Sequence, residues 1–189
     1  MKLAVRNFSL LLIITFAGVA NAQNASAKKD LPNLYQVSST LTRGGQPTEA
    51  GILELKRIGI KTIINLRSAN GRSKKEKAWA EAAGLKFINV PLSNWFEPKD
   101  TQIDKIIVLI DDPANHPVFV HCKRGADRTG TVVAVYRISH EGWNAKRAND
   151  EAEKFGLGWW QFWMKDYVND YYRDMKAGTP KPEDPSRPK

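Results

Sequence analysis

Cysteine is almost missing from this chain: one residue, Cys122, stands among 189. A disulfide scaffold is thereby excluded, and so is a zinc site built on paired cysteines. Acid is the scarcer charge. Asp plus Glu number 20 against 29 Lys plus Arg, a formal charge of +9 that points to an anionic partner without naming it. No internal repeat is present. Nor does the apolar stretch near the N-terminus, residues 8–20, reach the roughly 20 residues that a membrane span needs. The length suits one ordinary domain and is short for two. With 42% hydrophobic and 26% charged residues, the balance is that of a soluble globular protein.

That apolar stretch has another reading. Lys2 and Arg6 precede it, and Ala20-Asn21-Ala22 follows as a small-x-small site. This is the layout of a secretory signal peptide, with cleavage expected after Ala22 and Ala27 as second choice. We therefore expect export, periplasmic or secreted, with residues 1–22 as leader and 23–33 as linker. The domain itself is expected over 34–177. A tail over 178–189, carrying Pro180, Pro182, Pro185 and Pro188 among charges, is expected to be disordered.

Between these ends, strand and helix patterns alternate. Strands are expected at 35–43, 61–66, 86–90 and 117–121, the last three short and β-branched or aromatic. The first should end in a turn at Gly44-Gly45-Gln46-Pro47. Helices are expected at 48–58 with Thr48 as cap, 73–83, from Asp100 or Thr101 to about 110, 129–141, 144–155 and 160–175. The fold class is therefore α/β: a single domain with a central mixed, largely parallel sheet flanked by helices.

The chemical signal lies in His121-Cys122-Lys123-Arg124-Gly125-Ala126-Asp127-Arg128-Thr129-Gly130, between a strand and a helix. Loop N–H groups entering a helix N-terminus point into one concavity, and the helix dipole favours negative charge there. A cysteine in that setting is favoured as the nucleophilic thiolate. Arg128, six residues on, can fold over the same cradle and grip two phosphate oxygens with its planar fork. Thr129 can give its hydroxyl to the sulfur. Cys-x5-Arg alone is a weak signal, and a lone cysteine is more often an inert buried residue. Here His121, Gly125, Thr129-Gly130 and the strand-to-helix setting coincide.

At these residues the sequence resembles the cysteine-dependent protein phosphatase superfamily, and most of all its small, atypical dual-specificity members. Leu41-Thr-Arg-Gly-Gly-Gln-Pro47 and Ile63-Ile-Asn-Leu-Arg67 are similar to segments of bacterial members. The resemblance runs from about Leu34 to Glu141. It implies a sheet with flanking helices, no metal or other cofactor, and phosphate monoester hydrolysis through a phosphocysteine. Carried over, Cys122 is the nucleophile and Arg128 binds phosphate. Residues Lys123, Arg124, Gly125, Ala126 and Asp127 supply backbone donors, and His121 tunes the thiolate. His116 and His140 are expected at the surface or at helix ends.

The proton donor is where the sequence departs from that family. An aspartate normally stands about thirty residues before the cysteine, but here the stretch reads Leu92-Ser93-Asn94-Trp95-Phe96-Glu97. Asn94 cannot act as an acid. Asp100 on the same loop ranks first, Asp127 beside Arg128 second, with Glu97 a third candidate. Asp100 is equally a plausible helix cap.

A phosphorylated protein, or a phosphorylated small molecule or lipid, is the expected partner, and nucleic acid is not. Lys123 and Arg124 favour inositol polyphosphates or phosphoinositides if they face the site, and a phosphotyrosine substrate if they face water. Trp95-Phe96 either stacks on a substrate ring or plugs the core. Peripheral contact with an anionic membrane surface stands as a further candidate. A non-catalytic phosphate-binding module, a sulfurtransferase and an RNA triphosphatase are the competing classes.

Overall fold

The computed structural model describes residues 29–178; the expected leader, the linker up to residue 28 and the tail from residue 179 lie outside the described residues. Five strands form one sheet: β1 (Tyr35–Gln36), β2 (Leu41–Gly44), β3 (Thr62–Asn65), β4 (Lys86–Asn89) and β5 (Val118–His121), in the order β1-β2-β5-β3-β4. Only the β1–β2 pair is antiparallel. The mixed, largely parallel sheet expected from the sequence is thus present. Every residue of β2, β3 and β5 is buried, as befits parallel strands covered on both faces.

Alternation along each strand sorts its side chains into two layers. Ile63 and Phe119 join Ile52 and Leu55 of helix α1 (Glu49–Arg57) and Ala80 of α2 (Gly71–Ala82) on one face. Leu41, Ile64, Val118 and Val120 meet the other face, with Ile103, Ile106 and Ile110 of α3 (Asp100–Asp111) and Val132, Val133 and Val135 of α4 (Asp127–Glu141). Tyr167 of α6 (Phe162–Ala177) closes that second layer. Helix α5 (Ala145–Lys154) packs Ala145 and Ala148 against Ala134 and Ile138 of α4.

Several boundaries differ from the sequence reading, among them the expected helices 73–83 and 160–175, which run over Gly71–Ala82 and Phe162–Ala177. The expected strand 35–43 is a hairpin, because the Ser38 hydroxyl accepts from the N–H groups of Thr40 and Leu41 and turns the chain. Gly44 then lies inside β2, opposite His121, rather than in the following turn. Helix α4 starts at Asp127 instead of Thr129, so Arg128 is already in its first turn. Lys99, not Asp100, caps α3, and Asp100 is its first helical residue. Thr48 does cap α1, its hydroxyl accepting from Gly51 N–H at 3.1 Å.

Candidate active site

β5 delivers His121 and Cys122 to the end of the sheet, and α4 takes the chain away at Asp127. The loop between them has its carbonyls satisfied from outside. Cys122 O accepts from the His121 ring Nδ1 at 3.1 Å. Lys123 O accepts from Gln46 N–H at 3.1 Å, and Arg124 O from Asn33 Nδ2 at 2.9 Å. Gly125 O accepts from Arg43 Nη2 at 2.7 Å, and Ala126 O from Gly130 N–H at 2.6 Å. A trans peptide points its N–H opposite to its C=O. With the carbonyls turned out, the N–H groups of residues 123–127 turn inward, over a concavity at the start of α4 suited to an anion.

Two close approaches hold this shape. Gly125 has φ +73°, and a Cβ there would sit 2.5 Å from the Gly44 carbonyl carbon. A Cβ on Gly45 would come within 3.0 Å of the Arg124 carbonyl carbon. The Gly44-Gly45 pair and the loop therefore lie backbone to backbone, which explains the segment 41–47 that the sequence reading singled out. Arg43 itself is fully buried. Burial pulls its guanidinium down to about 10, against support from the Glu151 and Cys122 charges. That lowering costs about 3 kcal/mol. The Gly125 bond and the Phe155 ring, 4.0 Å from the guanidinium carbon, offset it in part.

Above the loop is a cavity of about 300 Å³ lined by Cys122, Lys123, Arg124, Asp127, Arg128, Asn94, Trp160 and Gln161. Arg128 is half-buried and rests at 3.4 Å on the carbonyls of Leu66 and Leu92, long contacts that a phosphate would readily replace. Thr129 is fully buried, and its hydroxyl has no nitrogen or oxygen partner among the described residues. Behind the cysteine, His121 Nε2 lies 2.6 Å from Oε1 of Glu76, both side chains being fully buried. Oε2 of Glu76 accepts from Gln46 Nε2 at 2.5 Å and Asn65 Nδ2 at 2.7 Å. Gln46 in turn accepts from Arg67 Nη1 at 2.7 Å. Burial lowers the Arg67 value, and the neighbouring Arg72 and Arg128 charges lower it further, while Glu76 and Cys122 raise it. Cationic groups thus crowd the sulfur's surroundings.

The candidate acids separate. Asp100 does not line the cavity: its Oδ1 accepts from the Tyr167 hydroxyl at 2.9 Å. Burial, then the Asp100 charge, pushes the Tyr167 phenol far up, so it stays a donor. Glu97 does not line the cavity either. Asp127 does, but Oδ2 accepts from Arg124 Nη2 at 2.7 Å and Oδ1 from Gly158 N–H at 3.1 Å. Lys123 and Arg124 reach the cavity wall while staying exposed. Trp95 and Phe96 are 75% and 61% exposed, which rules out the core plug. His116 and His140 lie elsewhere, bonded to Ile110 O and paired with Asp111.

Sequence reasoning missed Glu76, Trp160 and Gln161. Glu76 shares the inward stripe of α2 with Ser73 and Ala80, a pattern with little apolar periodicity to mark it. Trp160 and Gln161 had no spacing signal, since they reach the site from a turn more than thirty residues downstream of the cysteine.

Residues 10–159 match the family described as "DSP-PTPase phosphatase fused to NAD+ Kinase". Dual specificity protein phosphatase TpbA of Pseudomonas aeruginosa is 29% identical over 127 residues, covering 67% of this chain and 56% of that protein. Inositol diphosphatase DSP3 of Arabidopsis thaliana is 30% identical over 135 residues, covering 68% of this chain and 65% of that protein. The chain thus spans between half and two thirds of these relatives' length. The crystal structure of P. aeruginosa TpbA superimposes with a TM-score of 0.63 at 26% identity, over 76% of this chain and 91% of that one. The catalytic core of the PP-IP phosphatase SIW14 from S. cerevisiae shares the fold, with a TM-score of 0.68 at 21% identity, over 77% and 89%.

Proposed function

The chain belongs to the DSP-PTPase phosphatase family whose description adds a fusion to NAD+ kinase, and on that premise we propose that it hydrolyses phosphate monoesters through a phosphocysteine. The observation that carries this reading is the loop 122–126, whose carbonyls all bond outward and leave its N–H groups for a phosphoryl dianion. Arg128 exchanges its long contacts with Leu66 O and Leu92 O for two phosphoryl oxygens. Sγ of Cys122 then attacks phosphorus, the S–P bond forms, and the P–O bond to the alcohol breaks. The departing oxygen keeps that electron pair and takes up a proton. Water cleaves the S–P bond in the second step and releases phosphate.

No carboxyl group at the cavity wall has an unengaged oxygen, because Asp127 holds Arg124 and Gly158. A general acid contributes about 10²–10⁴ in rate, so a substrate whose leaving group needs little protonation suits this site. That favours a second reading, an inositol diphosphate, whose leaving group is itself a phosphate, over phosphotyrosine and over monoesters that must expel an alkoxide. Arg67, Arg72, Lys123 and Arg124 around the cradle support it, as does the relationship to a protein named inositol diphosphatase. TpbA, the other relative, has been crystallised in complex with pTyr, which supports the protein-directed alternative.

Phosphate release from phosphotyrosine peptides, phosphoinositides and inositol diphosphates, measured without added metal, tests these readings. Cys122→Ser should abolish turnover and keep binding of a phosphate analogue; turnover that survives it would sink the mechanism. Preference for the phosphotyrosine peptides would overturn the second reading alone.

Export remains our proposal for the leader-like residues 1–22, tested by N-terminal sequencing of the native protein; an intact Met1 in the cytosol would refute it. Peripheral contact with an anionic membrane is supported by the exposed Trp95, Phe96, Trp159 and Phe162 on the two segments that supply Asn94 and Gln161 to the cavity. Co-sedimentation with phosphatidylglycerol vesicles, absent for neutral ones, is the expected result.

A further inference from the structure

We infer that Asn33 is a positioning residue for the phosphate loop, aiming the Gly125 N–H at the phosphoryl group; the inference rests on the phosphatase reading above. Asn33 lies in the stretch 23–33 that the sequence reading took for a linker. It is the one non-glycine residue with a positive φ, +53°, among the described residues. Asparagine enters that left-handed region more readily than most residues, yet the conformation still has a cost that its surroundings must offset. What the conformation achieves is the aim of one amide. Nδ2 carries two hydrogens and uses both, donating to Arg124 O at 2.9 Å and to Phe155 O at 3.2 Å.

The residues before Asn33 hold its backbone in place. Asp30 O accepts from Thr48 N–H at 3.1 Å, and Asp30 Oδ1 from the Thr48 hydroxyl at 2.6 Å, which fastens the chain to the start of α1. Leu31 is buried with Ile52, Leu55 and Phe119. Pro32 O accepts from Gly45 N–H at 2.6 Å. Residues 30–33 thus form a strap that runs from α1, past the Gly44-Gly45 pair, to the outside of the loop.

Two consecutive peptides of the loop share one support. Asn33 holds Arg124 O, and Arg43 holds Gly125 O. Both rest on Phe155 at the end of α5: its carbonyl accepts from Asn33, and its ring lies 4.0 Å from the Arg43 guanidinium carbon. A trans peptide sets N–H opposite C=O, so a fixed Arg124 carbonyl fixes the direction of the Gly125 N–H. The two holds differ in kind. Arg43 is fully buried, whereas Asn33 is exposed. Water can therefore satisfy Arg124 O once the amide is gone, but a mobile water does not hold the angle of the peptide. Loss of the amide costs aim rather than stability. Aim matters most in the transition state, where charge spreads over the equatorial oxygens of the phosphoryl group.

The test compares two inhibitors of the full chain, with para-nitrophenyl phosphate as substrate. Vanadate forms a five-coordinate adduct that resembles the transition state, and inorganic phosphate stands for the ground state. Asn33→Gly accepts the positive φ and removes only the amide. It should bind vanadate about tenfold more weakly and phosphate as before, with kcat down about tenfold at unchanged KM and an unchanged unfolding temperature. Asn33→Asp keeps the size and tolerates the backbone, but turns an acceptor towards both carbonyls; it should weaken vanadate at least as far. Wild-type vanadate inhibition in Asn33→Gly would overturn the proposal. So would vanadate and phosphate weakening by the same factor, which would make Asn33 a general brace of the fold. Turnover that persists in Cys122→Ser would instead remove the phosphatase reading itself, and this inference with it.

Discussion

On the floor of the cavity each carbonyl from Cys122 to Ala126 accepts from a partner, three of them from the distant Asn33, Arg43 and Gln46. At its rim, Trp95, Phe96, Trp159 and Phe162 are between 61% and 82% exposed. The floor is fixed by hydrogen bonds and glycine contacts that leave no room for a Cβ. At the rim, the Trp95-Phe96 segment is held by its own turn, Ser93 Oγ accepting from Trp95 and Phe96 N–H, and the turn before Phe162 by a bond from Gly158 N–H to Asp127. Preorganised dipoles stabilise developing charge only if they need not reorganise, so the chemistry belongs to the floor. Choice among substrates falls to the rim, where side chains are free to meet different partners.

The sharpest way to break this contrast is Gly125→Ala. The added methyl would strike the Gly44 carbonyl from a backbone held at φ +73°. We expect about 2–4 kcal/mol of lost stability and a kcat/KM reduced about 10²-fold, read by thermal unfolding and steady-state kinetics. A change on the scale of a surface substitution would mean that the floor is not rigid.

Arg43→Met separates stability from catalysis. Removing the guanidinium relieves its desolvation, about 3 kcal/mol, while Gly125 O loses its donor. Unfolding should move little, whereas kcat/KM should fall about tenfold, the equivalent of one hydrogen bond. A large loss of stability with kcat/KM intact would assign Arg43 to packing.

The two aspartates compare floor with periphery. Asp127→Asn loosens both Arg124 and the Gly158 turn, so we expect kcat/KM to fall about tenfold. Asp100→Asn weakens its bond to Tyr167, for about 1 kcal/mol of stability and unchanged kcat/KM. A reversed order would restore Asp100 as the acid. The exposed pair should act on one substrate class alone. Replacing Lys123 and Arg124 together by Ala should weaken inositol diphosphate hydrolysis about tenfold, para-nitrophenyl phosphate hardly at all, and added salt should mimic it.

Much of the floor was legible because its signal is local. Cys122, Gly125, Arg128 and Thr129 sit within eight consecutive residues, and strand-loop-helix is a short-range pattern. The segment 41–47 stood out by resemblance, but what Arg43 does did not, since its partner Gly125 lies 82 positions away. Asp100 misled for the opposite reason. Sequence proximity put it on the right loop, but the helix start turned its carboxylate to Tyr167, 67 positions on. Glu76 looked like one charge on a charged helix, and only the packing of α2 against the sheet buries it beside His121.

The sequence by itself determined the alternation of strands and helices, the layered α/β architecture and the anion cradle, because β-branched runs, caps and a glycine-bearing loop act over a few residues. Tertiary structure alone decided which carboxylates reach the cavity, how the cradle's carbonyls are satisfied, and that Gln161 stands at its wall. Those outcomes depend on which distant segments the folded sheet brings side by side, and hydrogen-bond pairing across such distances leaves no periodic trace in the chain.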